Sequence, residues 1–139
     1  MSINFLAIII ATIISFALGS VWFSKLFGKA WMKIHHADIK KPEEIKMSMK
    51  GMWKFMLTEF ILTFIINIFL YLITIQSVSV KYAWVTVFLL WLGFILPTTT
   101  STILWGNDDK KYMVKKIAIS SLFRLVAMLI TVWIYFLWR

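Results

Sequence analysis

Glu59 and Arg124 are the only ionic side chains inside four long apolar stretches, and that isolation makes them the residues best placed to do chemistry. A charge in hydrocarbon is costly, so it is kept where it faces a bundle interior, meets an opposite charge or lines a path for ions or substrates. Glu59, Thr63 and Asn67 recur at i, i+4 and i+8, an arc of ~80° on one helix face, and Ser120, Arg124, Thr131 and Tyr135 fall within ~60° on another. The third stretch adds Pro97, which removes a helical hydrogen bond, followed at once by Thr98, Thr99, Thr100, Ser101 and Thr102, whose hydroxyls can satisfy freed carbonyls. The expected site is therefore a polar pocket lined by Glu59, Thr63, Asn67, Pro97, Thr98, Thr100, Ser120 and Arg124, with an ion pair between the two charges.

Other chemistries find little support. The chain has no cysteine, which excludes a disulfide, a thiolate nucleophile and any Cys-ligated metal. His35 and His36, with Asp38 close by, are the only histidines; neighbouring side chains on a helix diverge by ~100° and no second cluster completes a ligand set, so no metal and no cofactor is expected. Gly-rich phosphate loops, nucleophile elbows and zincin helices do not occur. No residue is assigned a catalytic role, because Glu59 has no oriented second group to act with.

The elements that must position these residues are apolar helices. Composition is 61% hydrophobic and 17% aromatic, with mean hydropathy +0.85, well beyond the ~45–50% apolar content of soluble domains. Continuous apolar runs cover residues 3–23, 55–75, 82–104 and 117–138. At ~1.5 Å per residue each helix reaches ~31–35 Å, enough for a hydrocarbon core of ~30 Å. The runs do not alternate as barrel strands would, and a spanning helix satisfies its own backbone. The expected fold is an all-α, polytopic membrane protein, a bundle of four transmembrane helices. Residues 1–139 read as a single membrane domain, because no basic residue precedes the first run, as a secretory signal would require.

Ala7, Ala11, Ser15 and Gly19 form a four-residue stripe of small side chains that predicts close helix packing. Between spans, residues 24–54 carry eight lysines and residues 105–116 carry four. The positive-inside bias places both loops in the cytoplasm, with the two termini and the short second loop outside. Arg139 and Lys81 complete the basic set with Arg124. In the first loop Lys25, Lys29 and Lys33 oppose Phe27, Ala30, Trp31 and Ile34, the pattern of an interfacial amphipathic helix. Pro42, Glu43 and Glu44 make a helix start, so the second helix is expected to begin near Glu43 and run on through the stripe Lys46, Lys50 and Lys54. These lysines suit anionic lipid headgroups, which accounts for the net charge of +9 without a nucleic-acid partner. Six tryptophans near the span ends, Trp22 and Trp84 among them, read as interfacial rings, and Trp91 and Trp133 as helix packing.

Ile3-Asn4-Phe5-Leu6-Ala7, Gly19-Ser20-Val21-Trp22-Phe23 and Leu26-Phe27-Gly28-Lys29-Ala30-Trp31-Met32, with Trp91-Leu92-Gly93-Phe94, Pro97-Thr98 and Phe123-Arg124-Leu125-Val126, resemble the bacterial membrane family DUF1761. The family pattern often has Tyr where this chain has Phe23 and Phe123. The resemblance implies a small multipass protein of the bacterial cytoplasmic membrane and brings no activity or substrate with it. The expected function is a non-enzymatic module that binds or translocates a small solute, lipid or proton at the pocket around Glu59 and Arg124. Its alternatives are a structural or regulatory subunit docked to a homodimer partner or a larger membrane complex, and an intramembrane enzyme.

Overall fold

In the computed structural model residues 3–138 are described, and all regular structure among them is helical. Arg139 lies outside the described residues. Helix α1 is Phe5–Val21, extended by a π-helical turn at Trp22–Leu26; α2 is Gly28–Ile34, α3 Pro42–Met49 and α4 Met52–Thr74. Helix α5 is Val80–Leu90, joined through a second π turn at Trp91–Ile95 to α6, Leu96–Leu104; α7 is Met113–Leu137. Four units are long and apolar enough to cross a membrane: Phe5–Leu26, Met52–Thr74, Val80–Leu104 and Lys110–Leu137.

Local chemistry explains the boundaries. Asn4 caps α1 by accepting from the Ala7 amide at 3.1 Å, which satisfies one of the donors a helix start leaves open. In the third unit the ring of Pro97 has no amide for the Gly93 carbonyl and crowds it. The backbone widens just ahead of it, the Leu96 amide bonding back to the Trp91 carbonyl, and the Thr98 hydroxyl donates to the Ile95 carbonyl at 3.1 Å.

The first loop differs from the sequence expectation in two respects. No single helix runs from Glu43 into the second span: α3 ends at Met49, and Gly51 turns the chain at φ +83° before α4 begins at Met52. A side chain at Gly51 would be strained in that left-handed conformation, so the lysine stripe 46–50–54 is divided between two helices. The amphipathic segment is shorter than 25–36, since Lys25 belongs to the π turn that prolongs α1. Its apolar side nonetheless packs as expected, with Ile34 buried and Lys25, Lys29 and Lys33 exposed.

Helix α7 is the hub, packing against α1, α4, α5 and α6, while α1 and α4 also pack on each other. Ala7, Ala11 and Ser15 are buried, and a Cβ on Gly19 would stand 3.2 Å from Cζ of Phe123 on α7, so the small stripe is what lets the helices close. Three indoles brace α7 by donating to its carbonyls: Trp22 to Ile119 at 3.1 Å, Trp91 to Ser121 at 2.7 Å and Trp84 to Leu129 at 3.2 Å. Trp22 and Trp84, read from sequence as interfacial rings, thus also tie helices together. Trp84 stacks on Trp133 with ring centroids 5.7 Å apart.

Candidate functional site

The two charges meet. Arg124 Nη2 donates to Glu59 Oε1 at 2.7 Å, joining α4 to α7, and Glu59 Oε2 has no hydrogen-bond partner among the described residues. The side chains are 45% and 32% exposed for Glu59 and Arg124, so the expectation of a buried pair is corrected to one at the wall of the bundle. The reason is position: Glu59 lies on the seam between α4 and its neighbours, and only the next turns of its stripe, Thr63 and Asn67, reach the interior.

Glu59 and Thr63 line a cavity of about 550 Å³ between α1 and α4, roofed by Trp31 of α2. Its remaining wall is mostly aromatic, with Phe16, Phe23, Phe55 and Phe123. Phe23 fixes that wall, its ring lying 4.6 Å from Trp31 and 5.2 Å from Phe123. A second cavity of about 190 Å³ holds Arg124 and Asn67, and shares Ser15, Thr63 and Phe123 with the first. The carboxylate therefore borders one space and the guanidinium the other.

Beyond the smaller cavity lies a hydrogen-bonded core. Asn67 Nδ2 donates to Thr12 Oγ1 at 3.1 Å, and Thr131 Oγ1 donates to Asn67 Oδ1 at 3.3 Å. Ser15 and Thr131 share a hydroxyl contact at 3.1 Å, the Thr12 hydroxyl donates to the Ile8 carbonyl at 2.8 Å, and the Tyr135 hydroxyl donates to the Asn67 carbonyl at 2.8 Å. Among the described residues no buried side-chain nitrogen or oxygen lacks a partner. Such a network locks α1, α4 and α7 into one arrangement, since a buried polar group left unpaired is expensive.

The hydroxyl tract goes elsewhere. Pro97 and Thr98 are exposed, and Thr98 and Ser120 border a groove of about 350 Å³ with Asp108 and Lys116, which form an ion pair. Pro97 and Thr100 line neither of the cavities beside the pair. The eight residues expected in one pocket are thus spread over two cavities, a separate groove and an exposed helix face. Thr12 is a member of this core that the sequence does not mark, because a lone threonine among isoleucines carries no periodic signal and its inter-helix partner, Asn67, lies on α4.

The two basic loops lie at the same end. His36 Nε2 stands 3.9 Å from Asp109 Oδ2, and the His36 ring is 6.3 Å from that of Tyr112. His36 takes the left-handed conformation that ends α2, at φ 53°. Its neighbour His35 packs on Trp31 at 4.6 Å, and burial, aided by the charge of Lys116, holds its imidazole below the usual pKa of 6.5. The opposite end is tied by Asn4, whose amide donates to the Tyr71 hydroxyl at 3.2 Å and whose side chain donates to the Trp138 carbonyl at 3.3 Å.

Residues 6–135 match the family described as protein of unknown function (DUF1761). The match covers nearly the whole chain, which therefore belongs to that family. Neither a curated protein nor a solved structure matches it.

Proposed function

We propose that this DUF1761 protein is a multipass protein of the bacterial cytoplasmic membrane, and that it is a non-enzymatic module which holds a small, largely apolar molecule in the cavity beside Glu59. The four apolar units support membrane insertion, and the lysine distribution supports a cytoplasmic position for the end bearing both basic loops. On that orientation the exposed helix α3 lies along anionic headgroups, and both termini face outward.

The observation that carries the reading is the 550 Å³ cavity itself, set in a bundle whose buried polar side chains are paired among the described residues. Its volume lies within the ~300–1,000 Å³ typical of small-molecule sites, and an apolar wall with few polar groups is the usual lining.

Saturable binding of the neutral fluorophore N-phenyl-1-naphthylamine to the protein in nanodiscs tests this, with empty nanodiscs as background. Ser20 is exposed and lines the cavity, so Ser20→Trp fills the space without disturbing the core. Binding near one probe per chain, abolished by Ser20→Trp, is expected. Binding that is unsaturable, or unchanged in the variant, rejects the site and favours the competing role, a structural subunit in which the Glu59–Arg124 pair only orients helices.

A further inference from the structure

We propose that the ligand held beside Glu59 is a hydrophobic monocation, and that it binds by replacing Arg124 as the partner of the carboxylate. This rests on the ligand-binding reading of the same cavity and adds the sign of the charge.

Three observations converge on it. First, Glu59 is the only charged residue among the described residues that line the large cavity, because Arg124 reaches the pair from the smaller one. A molecule in the large cavity therefore meets the carboxylate before the guanidinium. Secondly, the pair uses a single bond, Nη2 to Oε1, whereas arginine and carboxylate can form two parallel ones. Oε2 is left without a hydrogen-bond partner at the cavity wall. Thirdly, Phe16, Phe23, Trp31, Phe55 and Phe123 supply aromatic faces around that same space. A cation within about 6 Å of such faces is attracted by the ring quadrupole, most strongly when water is excluded, whereas an anion is repelled by the same rings and by Glu59.

The displaced Arg124 has a few oxygen acceptors within a mostly apolar cavity. The smaller cavity holds its side chain together with Asn67 and Ser15, whose oxygens belong to the core network. An arginine always stays charged, so it needs such acceptors once the carboxylate is taken. The exchange therefore moves a guanidinium between two partners on either side of Thr63 and Phe123. The lysines of the loops attract lipid headgroups, but none of them lines the cavity.

The test uses ions of the same shape and opposite charge, tetraphenylphosphonium and tetraphenylborate, titrated against the full chain in nanodiscs of uncharged lipid, with N-phenyl-1-naphthylamine as the neutral reference. Wild-type protein is expected to prefer the phosphonium. Glu59→Gln weakens that ion by about tenfold or more, the scale of one lost charge contact. Arg124→Gln shifts affinity the other way, tightening the phosphonium by about tenfold because its competitor is gone. The double variant Glu59→Gln/Arg124→Gln abolishes the preference while the neutral probe still binds, which separates lost charge recognition from lost fold. A preference for the borate, or a phosphonium affinity that Arg124→Gln lowers, overturns the proposal. If the neutral probe binds and the phosphonium is indifferent to Glu59→Gln, the cavity survives as a ligand site and only the cation assignment falls. If no probe binds to any form, both readings fall together.

Discussion

Replacing Asn67 with leucine removes a side chain that, together with Thr131, joins α1, α4 and α7. Asn67 is 3% exposed and its amide makes two side-chain bonds, at 3.1 Å to Thr12 and 3.3 Å to Thr131. Leucine keeps the branch at Cγ but is bulkier than asparagine, so some overpacking adds to the loss of the two bonds, and the double-mutant coupling isolates the bonds themselves. Inter-helix hydrogen bonds in membrane proteins average about 0.6 kcal/mol, with a maximum near 1.7 kcal/mol. Neither former partner is orphaned, since Thr12 still donates to Ile8 and Thr131 keeps Ser15, so the larger penalty of a stranded polar group does not arise. The expected loss is about 1–2 kcal/mol, a rise of roughly fivefold to thirtyfold in the unfolding constant. Reversible unfolding by sodium dodecyl sulfate in mixed micelles, followed by circular dichroism, measures it. A double-mutant cycle with Thr131→Val should return a coupling of about 0.6 kcal/mol. Additivity within about 0.3 kcal/mol, or no loss at all in Asn67→Leu, refutes the inference that these bonds hold the three helices in register.

Three further outcomes are expected. Gly19→Ala should be near neutral in melting temperature, because the 3.2 Å approach is to the far edge of the Phe123 ring and glycine's helical cost of about 0.5–1 kcal/mol is relieved. Gly19→Ile should destabilise by about 1–3 kcal/mol through overpacking between α1 and α7, and a melt that leaves both variants at wild-type stability refutes the contact. Trp91→Phe should cost about 1 kcal/mol by removing the 2.7 Å donation to Ser121; equal unfolding midpoints for the two proteins rule that out. His35 has a folded pKa below its unfolded value of 6.5, so the folded form binds fewer protons and the stabilisation is present above pH 6.5. It is lost as the pH falls from there through the folded value; burial and Lys116, Lys40 and His36 drive the shift, and Asp108 opposes it. Amide exchange in α2 should therefore speed up below pH 6.5, and His35→Gln should flatten the profile; an unchanged slope in that variant assigns the effect to another group.

What the sequence disclosed follows from how local each signal is. The spans were legible because hydropathy is summed over some twenty residues, and the observed units begin and end within a few residues of the apolar runs except at α7, whose Lys115 and Lys116 were counted as loop. The Glu59–Arg124 contact was legible because each charge had only one opposite charge at matching depth. The hydroxyl tract was not, because its threonines could satisfy either a ligand or their own helix, and Thr98 and Thr102 chose carbonyls three and four residues back. At Gly51 the breaking signal was present, but the regular spacing of Lys46, Lys50 and Lys54 argued for continuity. The Thr12–Asn67 contact and the indole donations of Trp22, Trp84 and Trp91 are long-range partnerships, and nothing within one helix reveals Asn67 as the partner of the first or the α7 carbonyls as the acceptors of the others.

The placement of α7 at the centre has a consequence for biogenesis. Ribosomes deliver this segment after the other three long helical units, so the first pair, α1 and α4, can associate directly while α5 and α6, whose main contacts outside their own unit are with α7, wait without a seat. During that interval Glu59 has no counter-charge and Asn67 lacks its Thr131 and Tyr135 neighbours. Arrival of the fourth span satisfies them together, making completion of the bundle a single late event rather than a stepwise accretion.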